Sequence, residues 1–332
     1  MSPNEPWWID LIKAIVIVNV VMGLFAYMTW VERKVIGRMQ LRYGPNRVGP
    51  FGLLQPIADL VKLIRKEAFY PGSAVGRLYI WAPVISTFTA LAAFAVIPWG
   101  PGWEVGGYDI TGEIVNVPIA LILLFALGSL GVYGFIIGGW ASDSKYSLLG
   151  SMRTCAQLVS YEVALALSVL GVIIMAGTLS LVGIVEAQKD GWWYAVPQFV
   201  GLMTFFVAGV AETNRAPFDL PEAEQELVAG YHTEYSGIRF GLFQTAEYIN
   251  MIVLSGLFVT LFLGGWLGPG DTDSLGPLWF VIKLGIVLFL FIWLRTTLPR
   301  LRYDQLMAFG WKVLLPVATL NAVVTAAIVV AV

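Results

Sequence analysis

The chain has 332 residues, of which 58% are hydrophobic and 13% are charged, roughly half the charged fraction of a soluble globular protein. Its 20 Lys and Arg and 22 Asp and Glu leave a net charge of −2, which argues against a nucleic-acid-binding protein and against an ordinary cytosolic enzyme. One Cys, Cys155, and one His, His232, exclude an intrachain disulfide framework and metal sites built from several Cys or His ligands.

Eight apolar stretches are long enough to cross a bilayer, which takes about 20 mostly apolar residues in a helix. Their continuous, Gly-containing runs favour helices over the alternating strands of a β-barrel. The sequence therefore predicts an all-α, polytopic integral membrane protein with about eight transmembrane helices, forming a single transmembrane domain over residues 1–332. The predicted spans are 7–31, 79–98, 118–140, 156–185, 192–211, 240–265, 277–294 and 306–331.

The distribution of Lys and Arg predicts the orientation of these spans. Sixteen of the 20 lie in four loops on one side, 32–78, 141–155, 212–239 and 295–305, whereas the other side holds Lys189 and three lie within spans. The positive-inside rule places the basic loops in the cytoplasm, and an even number of spans then puts both termini outside. Because the Ala-, Gly- and Val-rich composition suits a bacterial chain, we expect a multi-pass protein of the bacterial plasma (inner) membrane.

The first cytoplasmic loop, 32–78, opens with charged residues and continues through turns rich in Gly and Pro. Residues 53–66 then place Leu, Ile and Val on one helical face and polar residues on the other. This segment is too short to cross a bilayer, so we expect an interfacial amphipathic helix. It is interpreted either as a structural surface helix or as one wall of a pocket for an amphiphilic ligand, with the polar head of the ligand near Arg33 and Asp59.

The second large cytoplasmic loop, 212–239, is acidic where the first is basic. It carries Glu222, Glu224 and Glu226 at alternate positions, where like charges repel one another. Pairing with the basic residues of the first loop would relieve this repulsion, so the two loops are expected to touch. His232 lies in the same stretch and is interpreted as a polar surface or partner-contact residue, with a redox-linked proton donor as the alternative.

Ionisable residues inside the predicted spans are candidates for function, because an intramembrane charge is costly. Asp10 and Lys13 are spaced as a structural i, i+3 pair, and Lys312 lies close enough to a span end for its ammonium to reach the headgroups. For Lys283 the sequence leaves such snorkelling and a functional role equally open.

Three acids occupy comparable depths on three consecutive spans, with Glu162 and Glu247 roughly 10 Å below the cytoplasmic surface and Glu212 at the cytoplasmic end of its span. Together they could line one water-filled path and act as a proton relay. Tyr161 and Tyr248, each adjacent in sequence to one of these acids, are candidate hydrogen-bond partners, although neighbours in sequence point to different helix faces.

Five segments of the chain match, in order, a family of membrane subunits. They are VERKVIGRMQLRYGPNRVGPFGLLQPIADLVKLIRKE (31–67), GWASDSKYSLLGSMRTCAQLVSYEV (139–163), AETNRAPFDLPEAEQELVAGYHTEYSG (211–237), AEYIN (246–250) and LRTTLPRLRYDQLM (294–307). These segments cover every cytoplasmic loop and resemble the H subunit of respiratory NADH:quinone oxidoreductase (complex I), the counterpart of mitochondrial NADH dehydrogenase subunit 1.

The resemblance implies a subunit of an NADH:quinone oxidoreductase, a translocase, that has no redox centre of its own. Such subunits form the membrane half of the quinone-binding chamber and couple quinone reduction to proton translocation. Quinone, either ubiquinone or menaquinone, is then the substrate, and FMN, NADH and iron–sulfur clusters belong to partner subunits. The implied partners are the peripheral-arm subunits, the small and antiporter-like membrane subunits, quinone and membrane lipids, with no nucleic acid.

The resemblance also assigns roles to residues, with no metal ligand among them. The chamber residues are Glu32, Arg33, Asp59 and Arg295; the relay acids are Glu162, Glu212 and Glu247; and the acids of the coupling loop are Glu222, Glu224 and Glu226. Some relatives carry a further acid in the third span, but 118–140 has none, so water or a polar group such as Ser129 or Tyr133 would have to bridge the path there.

Two other functions compete with this interpretation. An autonomous secondary transporter or ion channel would be expected to show internal repeats or helices broken at the midplane, and neither is visible. The membrane subunit of an ion-pumping hydrogenase shares part of the fold, but segments 31–67 and 211–237 fit the quinone enzyme better.

Overall fold

The computed structural model describes residues 6–105, 108–189, 191–220, 229–270 and 272–331. The described residues are helical except for turns and one short antiparallel hairpin, Trp103–Val105 with Tyr108–Ile110, which confirms the prediction of an all-α protein. The helices are α1 (Trp7–Met39), α2 (Gln55–Arg65), α3 (Gly76–Phe94), α4 (Ala120–Ala141), α5 (Lys145–Ala176), α6 (Leu181–Glu186), α7 (Phe199–Glu212), α8 (Gly237–Phe262), α9 (Thr272–Thr297) and α10 (Tyr303–Ala331).

Seven of the described helices are long and apolar enough to cross a membrane, namely α1, α3, α4, α5, α8, α9 and α10. The remaining predicted span, 192–211, is helical only over the 14 residues of α7. That length is about 21 Å, less than the roughly 30 Å of a hydrocarbon core. Pro197 explains the shortening, because proline lacks the N–H that a helix interior needs, and α7 begins just after it. The eight predicted spans thus correspond to seven long helices and one shorter helix.

Helix α8 forms the centre of the bundle, since almost all of its apolar length is buried within the chain. It is hydrophobic on all sides, as a helix surrounded by other helices must be. By contrast, α1 and α10 expose most of their apolar surface. These two helices therefore lie at the periphery, where lipid or other membrane proteins can cover them.

The predicted amphipathic helix is present as α2. It has Pro56 in its first turn, where the missing N–H costs nothing, and Lys62 and Arg65 in its last turn, where cations favour the negative end of the helix dipole. None of its residues is buried, so its apolar face is open in the isolated chain. An ion pair of 2.8 Å between Arg33 on α1 and Asp59 on α2 holds the two helices together.

The loops 32–78 and 212–239 touch, as predicted, through the Ser236 hydroxyl of the second and backbone groups of the first, and through Arg239 over the Tyr70 ring. The Phe69 N–H donates to Ser236 Oγ at 2.9 Å, and the Ser236 hydroxyl donates to the Glu67 carbonyl at 3.2 Å. Glu222, Glu224 and Glu226 lie outside the described residues, so their pairing with the first loop stays a prediction.

The described parts of the second loop are buried rather than exposed. His232 is buried beside Tyr231 and Phe240, so its interpretation as a surface residue is wrong. The reason is that the aromatic residues around His232 pack the segment 229–236 into the bundle. In that segment, burial raises the pKa of Tyr235, which keeps its hydroxyl protonated as a donor to the Tyr79 carbonyl at 3.1 Å.

Candidate functional site

The three predicted relay acids line a single cavity. Glu162 comes from α5, Glu212 from the end of α7 and Glu247 from α8. The cavity has a volume of about 50 Å³, which is room for a few water molecules because each needs about 10–15 Å³. Acids that lie 35 to 85 positions apart in the chain are therefore brought together by the packing of three helices.

Helix α4 leaves room for the cavity because Gly128 has no side chain. A Cβ placed on Gly128, which lines the cavity, would meet no atom within 4 Å. Apolar side chains such as Leu124, Phe125 and Phe135 form most of the remaining wall. An acid inside an apolar wall keeps its charge only with polar partners or water, so the contacts of each carboxyl decide what it can do.

Glu162 has its partner on α4, where the Ser129 hydroxyl donates to it. Of the two polar groups that the sequence offered on the third span, Ser129 therefore contacts one of the three acids. Tyr133, the other candidate, is wrong, because it is 58% exposed and does not line the cavity. Val132 and Phe135 occupy the inner face of α4 at that level and leave Tyr133 outside.

Glu247 accepts a hydrogen bond of 2.5 Å from the Tyr231 hydroxyl. Tyr231 belongs to the turn Gly230–His232 and is fully buried, with Phe135 and Phe243 packed edge-on at ring distances of 5.0 and 5.2 Å. Sequence reasoning missed this partner, for which the only signal was the presence of a tyrosine in the second loop, because the contact depends on how that loop folds back.

Neither tyrosine predicted as a partner of the acids fills that role. The Tyr161 hydroxyl donates to the Leu306 carbonyl at 2.8 Å, and the Tyr248 hydroxyl donates to Glu32 at 2.6 Å. Consecutive residues of a helix point about 100° apart, so each tyrosine faces away from the acid next to it. Because each tyrosine is next to its acid in the sequence, the two side chains point in different directions and neither predicted pair forms.

A second polar group, here named the Glu32 cluster, comprises Glu32, Tyr248, Arg215 and Arg295. Glu32 is buried on α1, forms an ion pair with Arg295 of α9 and accepts the hydrogen bond from Tyr248 of α8. The Arg215 guanidinium lies 4.0 Å from the centre of the Tyr248 ring, a cation–π contact. The structure therefore unites Glu32 with Arg295, as predicted, and adds Tyr248 and Arg215.

The other two predicted chamber residues, Arg33 and Asp59, form a separate pair at the surface. Asp59 also accepts from the Gln55 amide at 3.0 Å and lies 3.7 Å from the Lys62 ammonium. Although Glu32 and Arg33 are consecutive, Glu32 faces the bundle and Arg33 faces α2. The predicted chamber residues thus form two separate ion pairs, which start from adjacent residues on different faces of α1.

Helix α8 joins the cavity to the Glu32 cluster. Glu247 lines the cavity, and the next residue, Tyr248, donates to Glu32. A rotation or shift of α8 that changes one contact must therefore change the other.

Lys283 is buried within the chain and is held by a loop. Its ammonium donates to the carbonyls of Leu263, Gly265 and Leu267, and lies 4.1 Å from the centre of the Trp193 ring. These carbonyls follow the C-terminal end of α8, where a cation is favoured by the helix dipole. The choice between snorkelling and a functional role for Lys283, left open by the sequence, stays a prediction.

The pair of Asp10 and Lys13 is confirmed at 3.2 Å, and Lys13 also donates to the Thr111 hydroxyl at 3.0 Å. Across the residues that the structure describes, no group of three or more His, Cys, Asp or Glu side chains is arranged to hold a metal ion.

Comparison with known proteins finds similarity over nearly the whole chain. The sequence pattern of the NADH dehydrogenase family matches residues 12–326. The H subunit of the NADH-quinone oxidoreductase of Rhodospirillum rubrum is 50% identical over 325 residues, covering 97% of this chain and 94% of the relative. The H subunit of Protochlamydia amoebophila is 52% identical over 303 residues (91% of each chain), and that of Syntrophotalea carbinolica is 52% identical over 321 residues (96% and 95%).

Proposed function

Since the chain belongs to the NADH dehydrogenase family and is a membrane subunit of an NADH-quinone oxidoreductase, we propose that it forms the membrane part of the quinone-binding chamber. We further propose that it couples quinone reduction to proton translocation through its buried carboxylates. The loops 32–78 and 212–239 form the chamber side in this proposal, facing the cytoplasm of a bacterial cell.

The observation that carries the proposal is the cavity shared by Glu162, Glu212 and Glu247. Burying three carboxyls in an apolar wall costs free energy that packing alone does not return. A proton relay accounts for their presence, because each can take up and release a proton, and water between them can carry it.

The chamber side is supported by the Glu32 cluster and by α2. A quinone has a polar head and an apolar tail, and α2 offers an exposed apolar face of Ile57, Leu60 and Ile64 beside the pair of Arg33 and Asp59. Such an arrangement suits an amphiphilic molecule that enters from the bilayer. The same exposed face would be covered in the complex by the peripheral-arm subunits that complete the chamber.

Coupling follows from the position of α8 between the two sites. Charge that appears near the Glu32 cluster when quinone is reduced changes the balance between Glu32, Arg295 and Arg215. Tyr248 transmits that change to α8, and Glu247 on the same helix turn changes its contact with Tyr231. The adjacent residues Glu247 and Tyr248 thus link the chemistry of the chamber to the first acid of the relay.

The redox groups belong to partner subunits in this proposal. Iron–sulfur clusters are held by four thiolates as a rule, and this chain has one Cys. NADH, FMN and the clusters are accordingly assigned to the peripheral arm. The exposed faces of α1 and α10 are assigned to lipids and to the small and antiporter-like membrane subunits.

The decisive test replaces Glu162 or Glu247 by Gln in the whole complex, reconstituted in vesicles. Gln keeps the shape and one hydrogen-bonding end but cannot titrate. We expect quinone reduction and proton uptake to fall together by about ten- to a hundredfold, or about 1.4 to 2.7 kcal/mol of barrier. NADH oxidation by ferricyanide, which bypasses the chamber, should stay near normal.

Glu104→Gln on the exposed hairpin is the matched control and should leave every rate unchanged. Near-normal pumping in both cavity variants, with assembly confirmed on native gels, would falsify the relay and leave the acids a structural role.

A further inference from the structure

Asn214 lies in an unusual turn directly after α7. Its φ is +51°, in the left-handed region that non-glycine residues rarely adopt. The Asn214 N–H donates to the Ala211 carbonyl at 3.3 Å, and the Arg215 N–H donates to the Val210 carbonyl at 3.4 Å, which closes the end of the helix. This turn places Asn214 at the relay cavity and the next residue, Arg215, over the Tyr248 ring.

Two side-chain oxygen atoms of residues that line the cavity lack a hydrogen bond from the described residues. Asn214 is 4% exposed, and its Oδ1 accepts from no donor among the described residues. Glu212 Oε2 is buried and likewise accepts from none of them. Both residues line the same cavity. More than about nine in ten buried polar atoms in proteins have a partner, so two acceptors without donors point to a small molecule that donates to both.

We propose that Asn214 and Glu212 bind one water molecule, and that Asn214 orients it for proton transfer to Glu212 within the relay. The water donates one hydrogen to Asn214 Oδ1 and the other to Glu212 Oε2, and its oxygen faces the cavity. The cavity is large enough, since it has a volume of about 50 Å³ and a bound water needs about 10–15 Å³.

The chemistry explains why an amide accompanies the acid. A proton that arrives from the cavity side binds the water oxygen and forms a hydronium ion. The hydrogen that points at Glu212 then passes to the carboxylate, which becomes a carboxylic acid and leaves neutral water behind. The oxygen of Asn214 takes no part in the transfer itself: it accepts a hydrogen bond and so orients the water.

The competing explanation is that Asn214 is present only because it tolerates the positive φ of the turn. Gly, Asn and Asp all tolerate a positive φ, which makes two substitutions informative. Asn214→Gly keeps the turn and removes the acceptor, whereas Asn214→Asp keeps the turn and an acceptor oxygen. Asp143→Gly is the matched control, because Asp143 also has a φ of +51° but is exposed and does not line the cavity.

The experiment uses the whole complex in vesicles and measures proton uptake coupled to quinone reduction, in H₂O and in D₂O. We expect Asn214→Gly to lower coupled turnover by about tenfold, the effect of losing one well-placed hydrogen bond. Its solvent isotope effect should exceed that of the unchanged complex, since proton transfer becomes limiting. Asn214→Asp should lose clearly less than Asn214→Gly, and Asp143→Gly should lose nothing.

A cryo-EM map of the complex at a resolution that shows water gives the direct readout. Density is expected within about 2.6–3.2 Å of both Asn214 Oδ1 and Glu212 Oε2, and absent in Asn214→Gly. The proposal is overturned if Asn214→Gly pumps normally, if both Asn214 variants lose equally, or if no water lies there.

This inference rests on the proposed relay, so Glu212→Gln is measured in parallel. If Glu212→Gln and Glu162→Gln pump normally, the relay itself is wrong and the bound water has no role in it. If they are impaired while Asn214→Gly is not, the relay stands and the role of Asn214 alone is refuted.

Discussion

Replacing Arg295 by Met tests whether the Glu32 cluster is one charge-balanced unit. Glu32 is 5% exposed, so Arg295→Met leaves a buried carboxylate without its ion-pair partner. Breaking a buried pair in this way commonly costs about 3–5 kcal/mol. We expect a smaller loss, about 2–3 kcal/mol, because the Arg295 side chain is 32% exposed and the Tyr248 hydroxyl still donates to Glu32.

The assay is kcat/KM for quinone in the purified complex, because the cluster lies at the proposed chamber. A loss of 2–3 kcal/mol corresponds to about a 30- to 160-fold decrease. The ferricyanide rate of the same preparation controls for the rest of the complex. A double-mutant cycle with Glu32→Gln isolates the interaction between the two side chains, since the double variant removes both charges of the ion pair.

We expect kcat/KM of the double variant to be at least about tenfold higher than the product of the two single losses predicts. This difference corresponds to a coupling of about 1.5–2 kcal/mol between the two side chains. Additive losses, within about 0.5 kcal/mol, would refute the reasoning, because they would mean that the two side chains act independently. An equal fall in the ferricyanide rate would instead show that the substitution damages the complex as a whole.

The remaining predictions concern three other contacts. Arg33→Ala and Asp59→Asn should each lower quinone reduction several-fold while ferricyanide reduction stays near normal, because their ion pair holds α2 against α1; equal losses in both assays would contradict this. Tyr231→Phe removes the hydrogen bond to Glu247 and should slow proton uptake by about tenfold, whereas an unchanged rate would mean that this bond has no part in the relay. Lys283→Met leaves buried carbonyls without a donor and should destabilise the chain by about 1–3 kcal/mol, measured as faster heat inactivation of the complex; unchanged inactivation would show that water replaces the ammonium.

Local patterns in the sequence were sufficient to predict the features that depend on neighbouring residues. Length, hydropathy and charge were enough to predict a helical membrane protein, the positions of its long helices and an amphipathic helix at 53–66, which the structure has as α2. Each of these properties follows from residues that are near one another in the chain, and the period of a helix converts them directly into structure. The depth of Glu162 and Glu247 along their spans came from the same local count.

Which of these groups meet depends on how the helices pack against one another. The partners of the acids are Ser129 and Tyr231, whereas the sequence also suggested Tyr133 and Tyr248. The difference depends on how each helix is rotated about its axis. Hydropathy does not fix that rotation when a helix is apolar on all sides. Lys283 was equally ambiguous, because the carbonyls that it binds belong to a loop after another helix. A buried polar group finds its partner through packing between distant segments, so its function becomes visible only once the whole bundle has formed.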